Sequence, residues 1–201
     1  MGGIELTDEK LLVGRDPNEL DELAIAFSSL LDEHGIRHVY VAGYVTILAG
    51  RARATQDIDV LIEPTDSEIL EELATDLSER GFWGPAMPLD EMETMLTEGD
   101  NIWVAHDGEM APHLEVKFAS DKFDHASLQN AISAEIGEST IPIGPLELQI
   151  AYKLYLGTQT DFEDALHFLI LFEESLRMPR LEDWVEELGV EADYERLRDA
   201  I

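Results

Sequence analysis

The segment VYVAGYVTILAGRARATQDIDVLIEP, residues 39–64, sets Asp57 and Asp59 one residue apart in an otherwise apolar run. Strand side chains alternate faces, so two carboxylates at this spacing point the same way, with Ile58 and Val60 opposite them. Like charges held that close repel, and a divalent cation between them removes the cost. Hard carboxylate oxygens suit Mg²⁺ or Mn²⁺, and Mg²⁺ takes one or two protein carboxylates and completes its shell with phosphate and water. A strand end facing solvent would carry the same pair without any metal. Arg51 and Arg53 lie just upstream, where planar guanidinium groups either neutralise a polyphosphate or pair with surrounding acids. Gly43 marks a turn from strand into a short helix, either an ordinary tight turn or one whose backbone N–H groups cradle a phosphate. Thr55 adds a hydroxyl.

The elements that must position these groups follow from periodicity. Asp16 and Pro17 read as an N-cap and first helical residue for NELDELAIAFSSLLDEHG, whose apolar residues recur at helical spacing until Gly35. RHVYVAG reads as a short buried strand, YVTILAG as a short helix, and DIDVLIE as the next strand. Thr65 with Glu68 has capping-box spacing ahead of the helix SEILEELATDLSERG. Helix, strand, helix, strand, helix is an α/β order. NIWVAHDG and HLEVKFA predict two strands joined by a turn at Asp107, Gly108 and Pro112. STIPIGP predicts one more, since Pro142 and Pro145 exclude a helix interior. The remainder is helical: PLELQIAYKLYLG, then DFEDALHFLILFEESLR capped by Asp161, then RLEDWVEELG and DYERLRDAI. The expected division is a mixed core over residues 1–143 and a helical region over 144–201.

Composition bounds the rest. The 201 residues are 45% hydrophobic, enough for a real core, and carry 44 acids against 13 bases for a net charge of −31. Lys10, Lys117, Lys122 and Lys153 are the only lysines. Such a surface repels nucleic-acid phosphates over most of its area. It resembles the acidic, lysine-poor surfaces of halophilic archaea, where concentrated salt screens the self-repulsion, although an acidic protein of ordinary habitat would share the composition. There is no cysteine, which excludes disulfides and fits a cytoplasmic protein. The six histidines lack zinc-site spacing. No apolar run reaches the length of a membrane span and the N-terminus has no signal-peptide core, so a membrane partner is not expected.

AGYVTILAGRARATQDIDVLI resembles the signature of the nucleotidyltransferase superfamily with the DNA polymerase β-like fold: a glycine-rich turn, about a dozen residues, then a hydrophobic-flanked D-x-D. The form G…GR.RAT.DIDV is most similar to the branch holding AbiEii-type toxins and related minimal nucleotidyltransferases. The resemblance is tight over residues 39–63 and looser, in order and spacing, through Leu171. It implies an α+β fold, a mixed sheet flanked by helices and followed by a helical C-terminal region. It also implies a third carboxylate on a later strand. Glu115 fits as the acid inside PHLEVKFA, where the family usually has aspartate, although an edge-strand surface glutamate would read the same way. Lys117 lies on the same face, to meet a phosphate or to pair with Glu115. The family's later helix with a lysine, then D-x-x-D, corresponds to PLELQIAYKLYLGTQTDFEDALHFL. Lys153, in an otherwise apolar helix, would reach the triphosphate or snorkel to solvent. Asp161 and Asp164 would support it, Asp164 by orienting Lys153 or the acceptor. Tyr44 stands where the family has glycine or serine; either its backbone N–H serves the nucleotide while the ring points elsewhere, or the pocket is altered. Thr158, Gln159 and Thr160 stand where basic residues are usual.

The expectation is therefore an enzyme that moves an NMP from an NTP to an acceptor. Asp57, Asp59 and Glu115 would hold Mg²⁺ or Mn²⁺, while Gly43, Tyr44, Arg51, Arg53, Thr55 and Lys153 would hold the nucleotide. RNA, a protein or a small molecule remain open as acceptor. The branch resembled implies a toxin of a toxin–antitoxin pair, with an antitoxin-like protein partner. The departures at Tyr44, Glu115 and residues 158–160 favour the other reading, a non-catalytic module of the same fold that acts by binding a protein partner.

Overall fold

Strand β4 (Asp57–Ile62) organises the molecule, and its alternation explains why. Ile58, Val60 and Ile62 are fully buried in the main core, each worth about 1.5–3 kcal/mol of burial. Asp57, Asp59 and Leu61 point to the opposite face. There Leu61 joins a small second apolar cluster with Val39, Ala119 and Leu128. The computed structural model describes residues 3–7, 10–53 and 55–201.

The other strands are β1 (Glu5–Leu6), β2 (Lys10–Leu12), β3 (His38–Tyr40), β5 (Phe82–Trp83), β6 (Ile102–His106), β7 (His113–Phe118), β8 (Ile132–Ile136) and β9 (Ser139–Ile143). Among the described residues they form one mixed sheet in the order β1-β2-β8-β9-β3-β4-β7-β6-β5. β4 runs parallel to β7 and antiparallel to β3, and β7 is antiparallel to β6. Helices α1 (Glu19–Glu33), α3 (Ser67–Glu79) and α4 (Met92–Glu98) send Leu23, Phe27, Leu70, Leu73 and Leu96 into the main core. The short α2 (Ala42–Leu48) connects β3 to the loop before β4, and α5 (Lys122–Gln129) lies over β3 and β4 on the carboxylate side.

The chain ends in four helices: α6 (Leu146–Leu156), α7 (Gln159–Phe172), α8 (Met178–Leu188) and α9 (Glu191–Arg198). α6 packs against α7 and α8, and its Ile150, Ala151 and Leu154 join the core shared with the sheet. Gly157 ends α6 with φ +69°, a left-handed conformation that glycine adopts without steric cost. This is the α+β architecture expected of a nucleotidyltransferase-like fold, a mixed sheet flanked by helices with further helices after it. No described helix is long and apolar enough to cross a membrane.

Three helix starts differ from the sequence reading. α1 is capped by Asn18 and not by Asp16: Asn18 accepts from the N–H of Asp21, and Asp21 accepts from the N–H of Asn18 at 2.8 Å. That reciprocal pair satisfies two otherwise unpaired donors and outcompetes a lone aspartate upstream. The N-cap position of α3 is Asp66, without a side-chain cap bond, so Thr65 and Glu68 form no capping box. α7 is capped by Thr158, which accepts from the N–H of Asp161, placing Asp161 inside the first turn.

Candidate active site

The parallel register of β4 on β7 aligns two rows of side chains on one face: Asp57 beside His113, Asp59 beside Glu115, Leu61 beside Lys117. The proposed third carboxylate thus stands directly next to Asp59 on the neighbouring strand. Asp57 accepts a hydrogen bond from the Thr55 hydroxyl, which holds its carboxyl below the usual range. Asp59 behaves oppositely. Burial, then the negative charges of Glu115 and Asp57, push its carboxyl up to about 6, against the opposing pull of Lys117 and Lys153. Glu115 accepts from the side-chain amide of Asn101. Lys117 is exposed and lies 3.7 Å from Asp124, not on Glu115.

The cations meet on a different carboxylate. Asp164, fully buried on α7, accepts from Arg51, Arg53 and Lys153 at once, with Lys153 at 2.8 Å. Arg51 also reaches Glu163 at 2.6 Å and the carbonyl of Thr160 at 3.2 Å. Lys153 is 2% exposed, and Asp161 lies 3.8 Å from its ammonium. Burial lowers the Lys153 pKa, and Asp164 partly restores it. With Glu163 on Arg51 and Asp161 near Lys153, three carboxylates face the two guanidinium groups and the ammonium, and Asp164 is the buried centre of the cluster.

Gly43 has a steric reason. A Cβ there would stand 3.1 Å from the Arg53 Cζ, so the missing side chain is the seat of the guanidinium. The residue before it, Ala42, has φ +58°, and its N–H donates to the Gln149 side-chain oxygen at 3.1 Å. The turn therefore uses Ala42 and Gly43 as its two small residues. Of the two readings of Tyr44, the ring is the part that points elsewhere. Its ring is fully buried against Tyr40, and its hydroxyl donates to Asp21 at 2.8 Å, so the Tyr44 side chain does not face the site.

Between β4, α5 and α6 lies a cleft of about 200 Å³, with Asp59, Lys117 and Lys153 at its polar end and Leu61, Phe123 and Tyr152 along its apolar wall. Sequence reasoning missed this wall, along with Asn101, His113 and Trp103. His113 lay in reach, two residues before Glu115 on the same strand. Trp103, partnered to Glu115 across β6 and β7, depends on a strand register that one sequence does not reveal.

Whether these carboxylates fit a divalent ion has a mixed answer. Asp59 is a crowded, half-buried acid with carboxylates on two sides, the electrostatic condition a cation relieves. Among the described residues, no three carboxylate or imidazole groups already converge as a metal cage. Mg²⁺ needs only one or two protein carboxylates when phosphates supply the remainder, so Asp59 with a neighbour suffices.

No family model matches the chain, and no curated protein matches it in sequence. Solved structures do resemble it. An antigenic nucleotidyltransferase-like protein from Paracoccidioides brasiliensis aligns with 91% of this chain and 93% of its own, at 14% identity and a TM-score of 0.56. The antibiotic-resistance factor ANT(2'')-Ia aligns over 91% of this chain and 98% of its own, at 13% identity and a TM-score of 0.50. At such identities the likeness is one of fold.

Proposed function

We propose that this chain is a metal-dependent nucleotidyltransferase that moves a nucleoside monophosphate from an NTP to an acceptor hydroxyl. The observation that carries the reading is the meeting, on one site, of a carboxylate row with a buried cation cluster. Asp59 stands beside Glu115 on the paired strand and two residues from Asp57, Lys153 lines the same cleft, and Asp164 ties Lys153 to Arg51 and Arg53. The likeness of fold to a nucleotidyltransferase-like protein supports it.

Asp59, with Asp57 or Glu115, would hold Mg²⁺ or Mn²⁺, which when bound supplies charge neutralisation at the phosphates and activates the attacking oxygen. Arg53 and Lys153 take the triphosphate, exchanging part of their hold on Asp164 for phosphate oxygens. Asp164 keeps both side chains aimed meanwhile. The acceptor oxygen forms the new bond to the α-phosphorus, and the bond from that phosphorus to the β-bridging oxygen breaks. Pyrophosphate leaves with the electron pair, and the hydroxyl proton passes to solvent. The apolar wall of Phe123 and Tyr152 is suited to the face of a nucleobase.

A second reading, a binding module of the same fold without turnover, is favoured by the engagement of Glu115 with Asn101 and of all three cations with Asp164. The toxin reading, with an antitoxin-like partner and an RNA or protein acceptor, rests on sequence resemblance alone, as does adaptation to high salt. Incubation in molar salt with α-labelled NTPs, Mg²⁺ and total cell RNA, protein or small-molecule extract separates the two. Transfer of label by wild-type protein, lost in Asp57→Ala and Asp59→Ala variants that remain folded, is the expected result. Wild-type turnover in either variant would sink the enzyme reading.

A further inference from the structure

Gln149 on α6 is a buried polar side chain that lines the cleft together with Asp59 and Lys153. Its side-chain oxygen accepts from the N–H of Ala42 at 3.1 Å. Its amide nitrogen lies over Gly144, where a Cβ would stand only 2.5 Å away, so the missing side chain makes the seat. Gly144 follows β9 and Ala42 lies just after β3, two parallel neighbours in the sheet. One side chain thus bridges the ends of both strands. A buried amide has given up its bonds to water, and the bond to Ala42 replaces one of them.

The turn that Gln149 touches is costly to hold and central to the site. Ala42, with φ +58°, is the one described residue other than glycine in the left-handed region. Its Cβ makes that conformation unfavourable, so the turn needs a hold from outside. Three consecutive residues of the turn each meet a different part of the site. The Val41 N–H donates to the Asp59 carbonyl at 3.1 Å, which ties the turn to the carboxylate strand. The Ala42 N–H donates to Gln149. Gly43 is the seat of the Arg53 guanidinium. Arg53 then donates to Asp164, which also accepts from Lys153. Lys153 is four residues beyond Gln149 on α6, and residues at that spacing share a helix face. The contacts close into a ring: Gln149, Ala42, Gly43, Arg53, Asp164, Lys153, and back along α6.

We infer that Gln149 is a positioning residue for nucleotide binding that acts through Arg53: by holding Ala42 it fixes the glycine seat that aims the guanidinium at the triphosphate. The ligand in this statement rests on the nucleotidyltransferase reading; the tie from Gln149 to Arg53 does not. Gln149 itself takes no phosphate and no metal. A residue that acts only through another has a signature that general stability lacks, since removing the second erases the effect of the first.

Calorimetric titration with ATP and Mg²⁺ on wild type, Gln149→Leu, Arg53→Met and the double variant tests this. Gln149→Leu removes the acceptor oxygen and keeps a side chain of similar size. It should weaken binding at least about fivefold while far-ultraviolet circular dichroism stays unchanged. In the Arg53→Met background the same substitution should cost no more than about twofold. An equal loss in both backgrounds, or no loss in Gln149→Leu, would overturn the proposal. Gln149→Met takes the place of Gln149→Leu if the latter does not fold, because an unbranched thioether adapts to irregular space. A second readout needs no nucleotide. The Arg53 Nε–H signal in a ¹⁵N-correlated spectrum, identified by its absence in Arg53→Met, should move or broaden when Gln149 is replaced. An unchanged signal would overturn the tie. If wild-type protein binds no ATP, the nucleotidyltransferase reading falls, and the tie still stands or falls on this signal alone.

Discussion

At the scale of single residues, Asp59 is the most informative group. Its carboxyl, near 3.8 in an unfolded chain, sits at about 6 because burial and two neighbouring carboxylates disfavour its charge. The sign follows from linkage. Between those values the folded protein binds more proton than the unfolded one, so stability present below about pH 4 is lost as pH rises through 6. Asp59→Asn removes the repulsion. Without added metal, the variant should be more stable than wild type at pH 8, by on the order of 1–2 kcal/mol, and the gain should vanish near pH 4. Denaturant unfolding at the two pH values checks this. A variant no more stable at pH 8 would mean that the row does not crowd Asp59. Stability withheld from a fold and placed in a site is the usual mark of function. The D-x-D spacing made this pair legible in sequence because alternation is a local property. Where the Tyr44 ring goes was not legible because its surroundings are tertiary: only the fold brings Asp21 of α1 to its hydroxyl.

At the scale of elements, Asp164 is the tie. It joins α7 to Lys153 on α6 and to Arg51 and Arg53 on the loop after α2, so one carboxylate connects three parts of the site. Removing one partner from a buried charge cluster leaves the others uncompensated. Asp164→Ala is therefore expected to cost about 3–5 kcal/mol in thermal or denaturant unfolding. Glu163→Ala, which removes an exposed partner of Arg51, should shift the unfolding transition far less. Equal effects would mean that the cluster is no more than surface pairing. The sequence disclosed the helices that carry these groups, since α1, α3, α6, α7 and α8 all show their period. It disclosed their caps poorly, because Asn18, Asp66 and Thr158 each compete with a plausible neighbour, and hydrogen-bond geometry decides. Strand β8, helix α5 and the two short N-terminal strands were not expected at all. They are brief, and ISAEI acquires its meaning only from pairing with β9 and β2.

At the scale of the whole molecule, charge is the dominant fact. A net −31 on 201 residues repels itself at any exposed distance shorter than the screening length. That length falls from about 10 Å at 0.1 M salt to about 3 Å at 1 M. The midpoint of thermal unfolding is accordingly expected to rise by several degrees from about 0.1 M to about 2 M KCl, without a change in far-ultraviolet circular dichroism below the transition. A midpoint independent of salt would mean that the acids are already neutralised locally. Fold class was readable at this scale because the order of strands and helices survives in one sequence. The site was readable only in halves, since the register of β4 on β7, which places Glu115 beside Asp59, is written in no local pattern.

The central claim is that the carboxylate row and the cation cluster together hold a metal–nucleotide complex, and calorimetric titration with ATP in the presence and absence of Mg²⁺ tests it most directly. Wild-type protein should bind ATP with Mg²⁺ and at least about tenfold more weakly without it, a difference of about 1.4 kcal/mol. Asp59→Asn should abolish the metal dependence, and Lys153→Met should weaken binding in both conditions. Binding unchanged by either substitution, or no binding with Mg²⁺ at the salt concentration where the protein is folded, would contradict the account.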